Sequence, residues 1–278
     1  MKNRILNEQD IRAFRGYLVR EEKSVNTIEK YLRDARSFLA FAGARAVTKE
    51  LVMAWKESLA GRYAPRSVNS KLASLNSLLQ FLGWGDCKVK NLKIQQQTYC
   101  PEEKELTRGE YERLLDAADN QPQLRLVMET ICATGIRVSE LKFFTVEAVR
   151  AGEISISNKG KNRAILIPGR LKKKLLAWAK RQDIQTGVIF VTRNGRPLDR
   201  SNIWAKMKKL CQAAGVAPSK VFPHNLRKLF ARCYYTQEKD IAKLADILGH
   251  SSINTTRIYI MTTGTEHRRQ LDRLGLVG

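Results

Sequence analysis

Residues 153–168 read E-I-S-I-S-N-K-G-K-N-R-A-I-L-I-P, and this stretch decides the fold class. Two runs of strand character, 153–157 and 163–168, are joined by N-K-G-K-N, whose glycine suits a tight connection; the pattern predicts a β-hairpin. To either side the apolar spacing is helical. Upstream, Thr107 and Glu110 form a capping-box signature, and 122–133 is apolar on nearly every side, which requires burial. Gly135 ends that segment, and a short helix carrying Glu140 and Leu141 follows. Downstream, a helix is expected from about Leu171 to Arg181, then a short strand V-I-F-V (188–191) and the turn R-N-G-R-P (193–197). Helices over about 200–213, 224–236 and 239–248 follow. The expected class is mostly α with a small antiparallel β-sheet (α+β).

The first ninety residues read as helices only. Asn7 is placed to cap a helix with Ile11, Phe14 and Leu18 inward, and Ser24 or Asn26 to cap a second with Ile28, Tyr31, Ala35, Phe38 and Leu39 inward. Thr48 opens a third around Leu51, Trp55 and Leu59. Ser67 opens a fourth around Val68, Leu72, Leu75, Leu79 and Leu82, with Gly83 as its stop. Short connections between amphipathic helices make a small bundle. Residues 86–105 lack helical periodicity and contain Pro101, so a linker is expected there. The expected organisation is a helical unit at 1–85, a linker at 86–105, and a second domain with a C-terminal tail at 106–278.

A length of 278 residues accommodates about two such domains. A hydrophobic content of 43% excludes a long disordered chain. Fifty basic against 27 acidic side chains give a net charge of +23, and the excess lies in both halves. That pattern points to two basic domains clamped around a nucleic acid rather than to one basic tail. Five cysteines, an odd number without a C-x-x-C pair, argue for a reducing compartment and against a zinc site, with Cys132 and Cys233 expected in the core. No apolar leader and no apolar run of membrane length is visible, so a soluble cytoplasmic protein without membrane contact is expected. G-x-x-x-x-G-K-[ST] is absent, and no carboxylate cluster suggests two-metal chemistry.

Candidate chemistry gathers around a few polar residues. His224 and Arg227, in F-P-H-N-L-R (222–227), lie three apart and project from one helix face. His250 follows a helix-ending glycine in L-G-H-S (248–251), and Tyr259 stands nine positions later. Arg137, in A-T-G-I-R-V-S-E-L (133–141), sits at a turn into a helix where backbone N–H groups favour an anion, although Glu140 is also placed to pair with it. Lys159 occupies the hairpin tip, and Lys161, two residues on, competes for the same role. In A-G-R-Y-A-P-R-S-V-N-S-K (60–71), Arg62, Arg66, Asn69 and Lys71 gather near one helix start as candidate phosphate contacts. Each of these taken alone is an ordinary surface or core residue; together, one nucleophile, two guanidiniums, two imidazoles and an ammonium can process a phosphodiester without metal.

In this order and spacing the chain resembles the tyrosine recombinases of the Xer and phage-integrase type. S-V-N-T-I-E-K-Y-L-R-D (24–34) resembles the family's core-binding helix, and 133–141 the block with its first arginine. N-K-G-K-N-R-A-I-L-I-P (158–168) resembles its lysine hairpin; 223–231 and 248–259 resemble the blocks holding its remaining residues. The resemblance implies that Arg137 and Arg227 hold the non-bridging oxygens, that Tyr259 attacks phosphorus, and that Lys159 protonates the departing 5′ oxygen. It implies proton transfer at the tyrosine for His224 and a hydrogen bond to the phosphoryl group for His250. It further implies a core-binding N-terminal domain, double-stranded DNA with two recombination sites as partner, and a homotetramer assembled on that DNA through exchanged C-terminal tails. No cofactor and no metal are implied; an accessory directionality factor and association with a bacterial nucleoid are. Lys228, where many members place histidine, and I-M-T-T-G-T-E-H-R-R-Q-L (260–271) look more like integrases of mobile elements than chromosomal Xer proteins. With residues 1–85 as the N-terminal unit, binding to core-type sites alone is expected.

Two other readings compete. A non-enzymatic DNA-binding regulator, with 200–213 or 224–236 as recognition helix, accounts for charge and helices but not for the constellation. A type IB topoisomerase shares the chemistry; the short helical N-terminal domain and the block spacing favour the recombinase. Integration or excision of a mobile element and Xer-type dimer resolution are the two biological outcomes to separate.

Overall fold

The computed structural model describes residues 4–95, 99–158 and 161–276, which form two compact units divided after Gln96. The first is a four-helix bundle of α1 (Glu8–Arg20), α2 (Val25–Ala42), α3 (Lys49–Ala60) and α4 (Pro65–Phe81). The expected caps form: Asn7 shares a capping box with Asp10, and Ser24 and Thr48 each accept a backbone N–H of their own helix. The fourth helix begins two residues before Ser67, at Pro65, because proline presets the helical φ and has no N–H to leave unpaired.

Ile11, Phe14, Leu18, Phe38, Trp55, Leu72 and Leu75 form the centre of this bundle, each worth roughly 1.5–3 kcal/mol of burial. The inward rows differ slightly from those expected: Leu32 and Ala42 are buried on α2, while Tyr31 and Leu39 are half-buried at its border. One charged group lies inside. Burial alone would raise the Asp34 carboxyl, but hydrogen bonds from Lys30 and Ser74 and the charges of Lys30 and Lys71 outweigh it and hold it below the usual range. Within 86–105, Cys87 and Val89 join this core, and Asn76 and Asn69 pin Val89 and Leu92 by their backbone groups.

The second unit contains α5 (Arg108–Asp116), α6 (Pro122–Thr134), a 3-10 turn at Val138–Phe143 and α7 (Val146–Ala151), followed by the hairpin. Strands β1 (Glu153–Asn158) and β2 (Lys161–Leu166) pair antiparallel, Glu153 opposite Leu166 and Ile156 opposite Arg163. Then follow α8 (Gly169–Arg181), α9 (Arg200–Lys209), α10 (Cys211–Ala214), α11 (Pro223–Glu238), α12 (Ile241–Leu248), α13 (Ile253–Ile260) and α14 (Gly264–Asp272). The mostly α architecture with one small antiparallel sheet is as expected.

Three details differ. V-I-F-V forms no strand: Val188 and Val191 make only isolated bridges, to Thr145 and Pro197, because the chain turns back at Thr192 onto Arg196. The helix expected over 200–213 is two pieces meeting at Leu210. Cys132 is only half-buried and Cys233 is exposed, on the outer side of α11, rather than both in the core.

Helix α6 is buried through Leu124, Val127, Met128 and Ile131, and its two buried threonines return their hydroxyls to Leu126 and Thr130 carbonyls. It ends at Gly135, in the left-handed region at φ 65°, where a Cβ would stand 2.4 Å from the Phe230 ring. Only glycine fits there, and its placement fixes the turn that presents Arg137.

Candidate active site

Helix α12 ends at Leu248, and the last carbonyls of a helix have no partner within it. Three arginines from three separate elements supply one. Arg163 of β2 donates to Ile247 O at 3.1 Å, Arg227 of α11 to Leu248 O at 2.6 Å, and Arg137 to Gly249 O at 3.4 Å. The negative end of the helix dipole thus gathers the guanidiniums into one place. Arg227 is 1% exposed and also donates to Gly135 O, while its Nε has no partner among the described residues. Burial, and next the charge of Arg137, push its guanidinium down to about 10, which leaves it charged at neutral pH.

Arg137 is the open member, with 39% of its side chain exposed. As anticipated, it pairs with Glu140, Nη1 to Oε1 at 2.9 Å, and its backbone N–H also reaches that carboxylate at 2.8 Å. Glu140 is itself buried and binds Arg163 through its second oxygen. One carboxylate therefore serves two guanidiniums, and the three arginines retain a net charge of two for an anionic guest.

Tyr259 lies on α13 at 7% exposure, packed on Ala231, Leu244 and Leu248. Its ring centroid is 5.1 Å from that of His224 and 4.9 Å from that of His250, and the Arg227 guanidinium carbon is 5.9 Å away. His250 Nε2 meets Arg227 Nη2 at 3.0 Å and Nδ1 meets Thr256 Oγ1 at 2.9 Å. Loss of hydration first, then the charges of Arg227, Arg137 and Arg163, push His250 down to about 4. His224, at the start of α11 with one edge open to solvent, is also pushed down to about 4, by desolvation and then by Lys228, Arg227, Arg200 and Arg137. Of the two imidazoles that flank the phenol, His250 already accepts from Arg227, so neutral His224 is the one that can take the proton, while the guanidiniums hold the charge that develops on the non-bridging oxygens.

Five of the six residues of the sequence constellation, Arg137, His224, Arg227, His250 and Tyr259, thus share one site. Lys159 lies outside the described residues. Lys161 is described by its backbone alone, paired with Asn158 in the hairpin. In the first unit Arg62 and Arg66 are exposed at the entry to α4, Arg62 held by the Ser58 carbonyl. Asn69 commits both ends of its amide to Leu92, and Lys71 pairs with buried Asp34 over the Tyr63 ring, so these two serve the fold of the bundle. Sequence reasoning missed Arg163 and Thr256, and also Arg200 and Trp204 of α9, which line a cavity of about 310 Å³ with Arg137, His224 and Arg227. Among the described residues no three His, Cys, Asp or Glu side chains are grouped to hold a metal.

Residues 104–265 match the phage integrase family, and residues 11–85 match its N-terminal SAM-like domain. The chain is 31% identical to the tyrosine recombinase XerA of Thermococcus kodakarensis, covering 94% of this chain and 93% of that protein. It is 29% identical to XerD of Listeria monocytogenes, over 91% and 94% respectively. A lambda integrase dimer (75–356) bound to a COC′ core site superposes with a TM-score of 0.75 at 18% identity, covering 93% of this chain and 96% of that one. The crystal structure of a XerA recombinase matches with a TM-score of 0.55 at 24% identity, over 96% and 98%. With the site assembled and the family model spanning more than half the sequence, the chain belongs to the phage integrase family and is a site-specific DNA recombinase of the tyrosine type.

Proposed function

We propose that the protein breaks and rejoins DNA through a 3′-phosphotyrosyl intermediate formed by Tyr259, without metal, cofactor or ATP. The observation that carries this reading is the position of the Tyr259 ring, about 5 Å from two neutral imidazoles and beside a buried, charged guanidinium. The Tyr259 oxygen attacks phosphorus in line, its proton passing to His224, while the bond to the 5′ oxygen breaks and that oxygen takes a proton from Lys159. Arg137 and Arg227 stabilise the two charges of the transition state, and the unpartnered Arg227 Nε is a ready donor to it. The phosphotyrosine keeps the energy of the broken bond, so the 5′ hydroxyl of a second strand can reverse the step.

The DNA partner is a pair of double-stranded sites, gripped by a basic core-binding unit at 1–85 with Arg62 and Arg66 at its surface and a catalytic domain at 106–278. Neighbouring structures include a lambda integrase tetramer on a Holliday junction and XerH on its difH substrate, which supports assembly of four protomers on DNA here. No helix among the described residues is long and apolar enough to cross a membrane, which fits action on cytoplasmic DNA. Integration and excision of a mobile element is the outcome favoured by Lys228 and the segment after Tyr259. Dimer resolution is the second reading, favoured by the Xer names of the similar proteins. Mapping where covalent adducts form on genomic DNA separates them. Adducts at the borders of an element carrying the gene support the first; adducts at a single chromosomal or plasmid site support the second. Strand exchange between two sites distinguishes either from a topoisomerase.

A further inference from the structure

Arg163 takes no part in the constellation, yet it is among the most committed side chains of the second unit. Only 12% of its side chain is exposed. One arm of its guanidinium binds Glu140 Oε2 and the other donates to Ile247 O. Its stem lies flat on Gly249, where a Cβ would stand 2.7 Å from Arg163 Cδ and 2.9 Å from Nη1. Arg163 therefore touches both structures that orient the site: the carboxylate that holds Arg137 and the turn that carries His250. A purely stabilising side chain at this position needs no charge; Ile165 and Ile167, on the same strand face, are simply buried.

The contacts of Glu140 explain why a charge is needed. With Arg163 present, Oε2 is shared between Arg163 and the Arg137 backbone, and Arg137 Nη1 holds only Oε1. That leaves the other arm of the Arg137 guanidinium in the cleft, held only by a long 3.4 Å contact to Gly249 O, with 39% of the side chain exposed. Without Arg163, the buried carboxylate has a single cation to satisfy it, and a fork-to-fork pair with Arg137 becomes its best arrangement. Such a pair turns Arg137 away from the cleft and neutralises it. We propose that Arg163 is a positioning residue, tying the hairpin strand to Glu140 and to the α12 end so that Arg137 stays open to the scissile phosphate. This rests on the recombinase reading of the site.

The test uses the full chain on a nicked suicide duplex of its own site, with Arg163→Ala, Arg163→Lys and Glu140→Gln and the double variant. Arg163→Ala should slow adduct formation about 10²-fold, the scale for a small misplacement of a reacting group, with half-site affinity unchanged. Lysine, which reaches Glu140 but cannot also hold Ile247 O, should restore part of that rate. A 5′-bridging phosphorothiolate should not rescue Arg163→Ala, because the defect lies at the non-bridging oxygens and not at the leaving group. In the double-variant cycle the two losses should be less than additive. Wild-type rates in both Arg163 variants, rescue by the phosphorothiolate, or full additivity would each overturn the proposal. If alanine does not fold, the lysine rate and its response to the phosphorothiolate decide. Failure of the wild-type protein itself to form an adduct would instead strike the recombinase reading.

Discussion

Arg227 donates to His250 across 3.0 Å, and this contact fixes the histidine's tautomer. A guanidinium has no lone pair to offer, so His250 Nε2 must accept. The proton then sits on Nδ1 and is donated to the buried Thr256 hydroxyl, 2.9 Å away. In this state His250 is a neutral acceptor turned toward Arg227. The hydrogen bond to a phosphoryl oxygen that the family resemblance implies requires this ring to give up its Arg227 contact or to gain a proton when phosphate enters. A phosphate supplies the reason, since its charge satisfies Arg227 and favours a protonated imidazole.

The two site histidines give the free protein a defined acid response. Both are held near 4, against 6.5 in an unfolded chain, so between these values the unfolded state binds more protons. Their contribution to stability is present above pH 6.5 and is lost as pH falls towards 4. Because the chain has three histidines, NMR titration resolves them individually. Two should titrate near 4 in free protein and move upward on binding DNA; ordinary midpoints near 6.5 for both would contradict this.

Arg137 and Arg227 should both matter to rate but differ in their effect on folding. Replacing either with alanine should cost at least about 3 kcal/mol of barrier, as for loss of an oxyanion donor. Arg227→Ala should also lower the melting temperature, since it strands the Gly135 and Leu248 carbonyls in a buried place, whereas Arg137→Ala should lower it little. Cleavage should persist in EDTA; dependence on added metal would remove the arginine-based account.

The arginine frame also shows what the sequence could and could not convey. The caps at Asn7, Thr48 and Thr107 and the pairing of β1 with β2 are local, so spacing alone conveys them. Five members of the constellation, which keep a fixed order along the chain, lie in one place in the fold. The convergence of Arg163 on Glu140 and Ile247 was not, since those partners lie 23 and 84 residues away. A signal for it did exist: Arg163 shares its strand face with Ile165 and Ile167 and lies opposite buried Ile156, an inward row where a cation needs a partner. The contacts that Lys71 makes with buried Asp34 and Asn69 with the backbone of Leu92 leave no local trace in the sequence, since their partners lie 37 and 23 residues away.

Lys159→Ala should block cleavage of ordinary DNA and be rescued by a 5′-bridging phosphorothiolate, whose thiolate leaves without a proton. Rescue of Lys161→Ala instead would transfer the role to that lysine.

The C-terminal segment should join protomers. Its first turn is held in cis, by the Thr263–Glu266 capping box and by Arg232, which binds both Glu266 and Glu105. Beyond it Leu271, Leu274 and Leu276 are exposed, the last at 85%. Replacing these three leucines with serine should spare cleavage at a single site yet abolish recombination between two, because a head-to-tail contact closes only in a complete ring. Recombination at the wild-type rate would reduce the segment to a cap on its own domain.

The central claim is that Tyr259 forms the covalent bond to DNA, and peptide mapping of the trapped adduct tests it most directly. Wild-type protein incubated with a nicked substrate in EDTA should yield one nucleotide-bearing peptide, modified at Tyr259. Tyr259→Phe should bind the same DNA with unchanged affinity and yield none. An adduct on any other residue, or an adduct that survives Tyr259→Phe, would contradict the account.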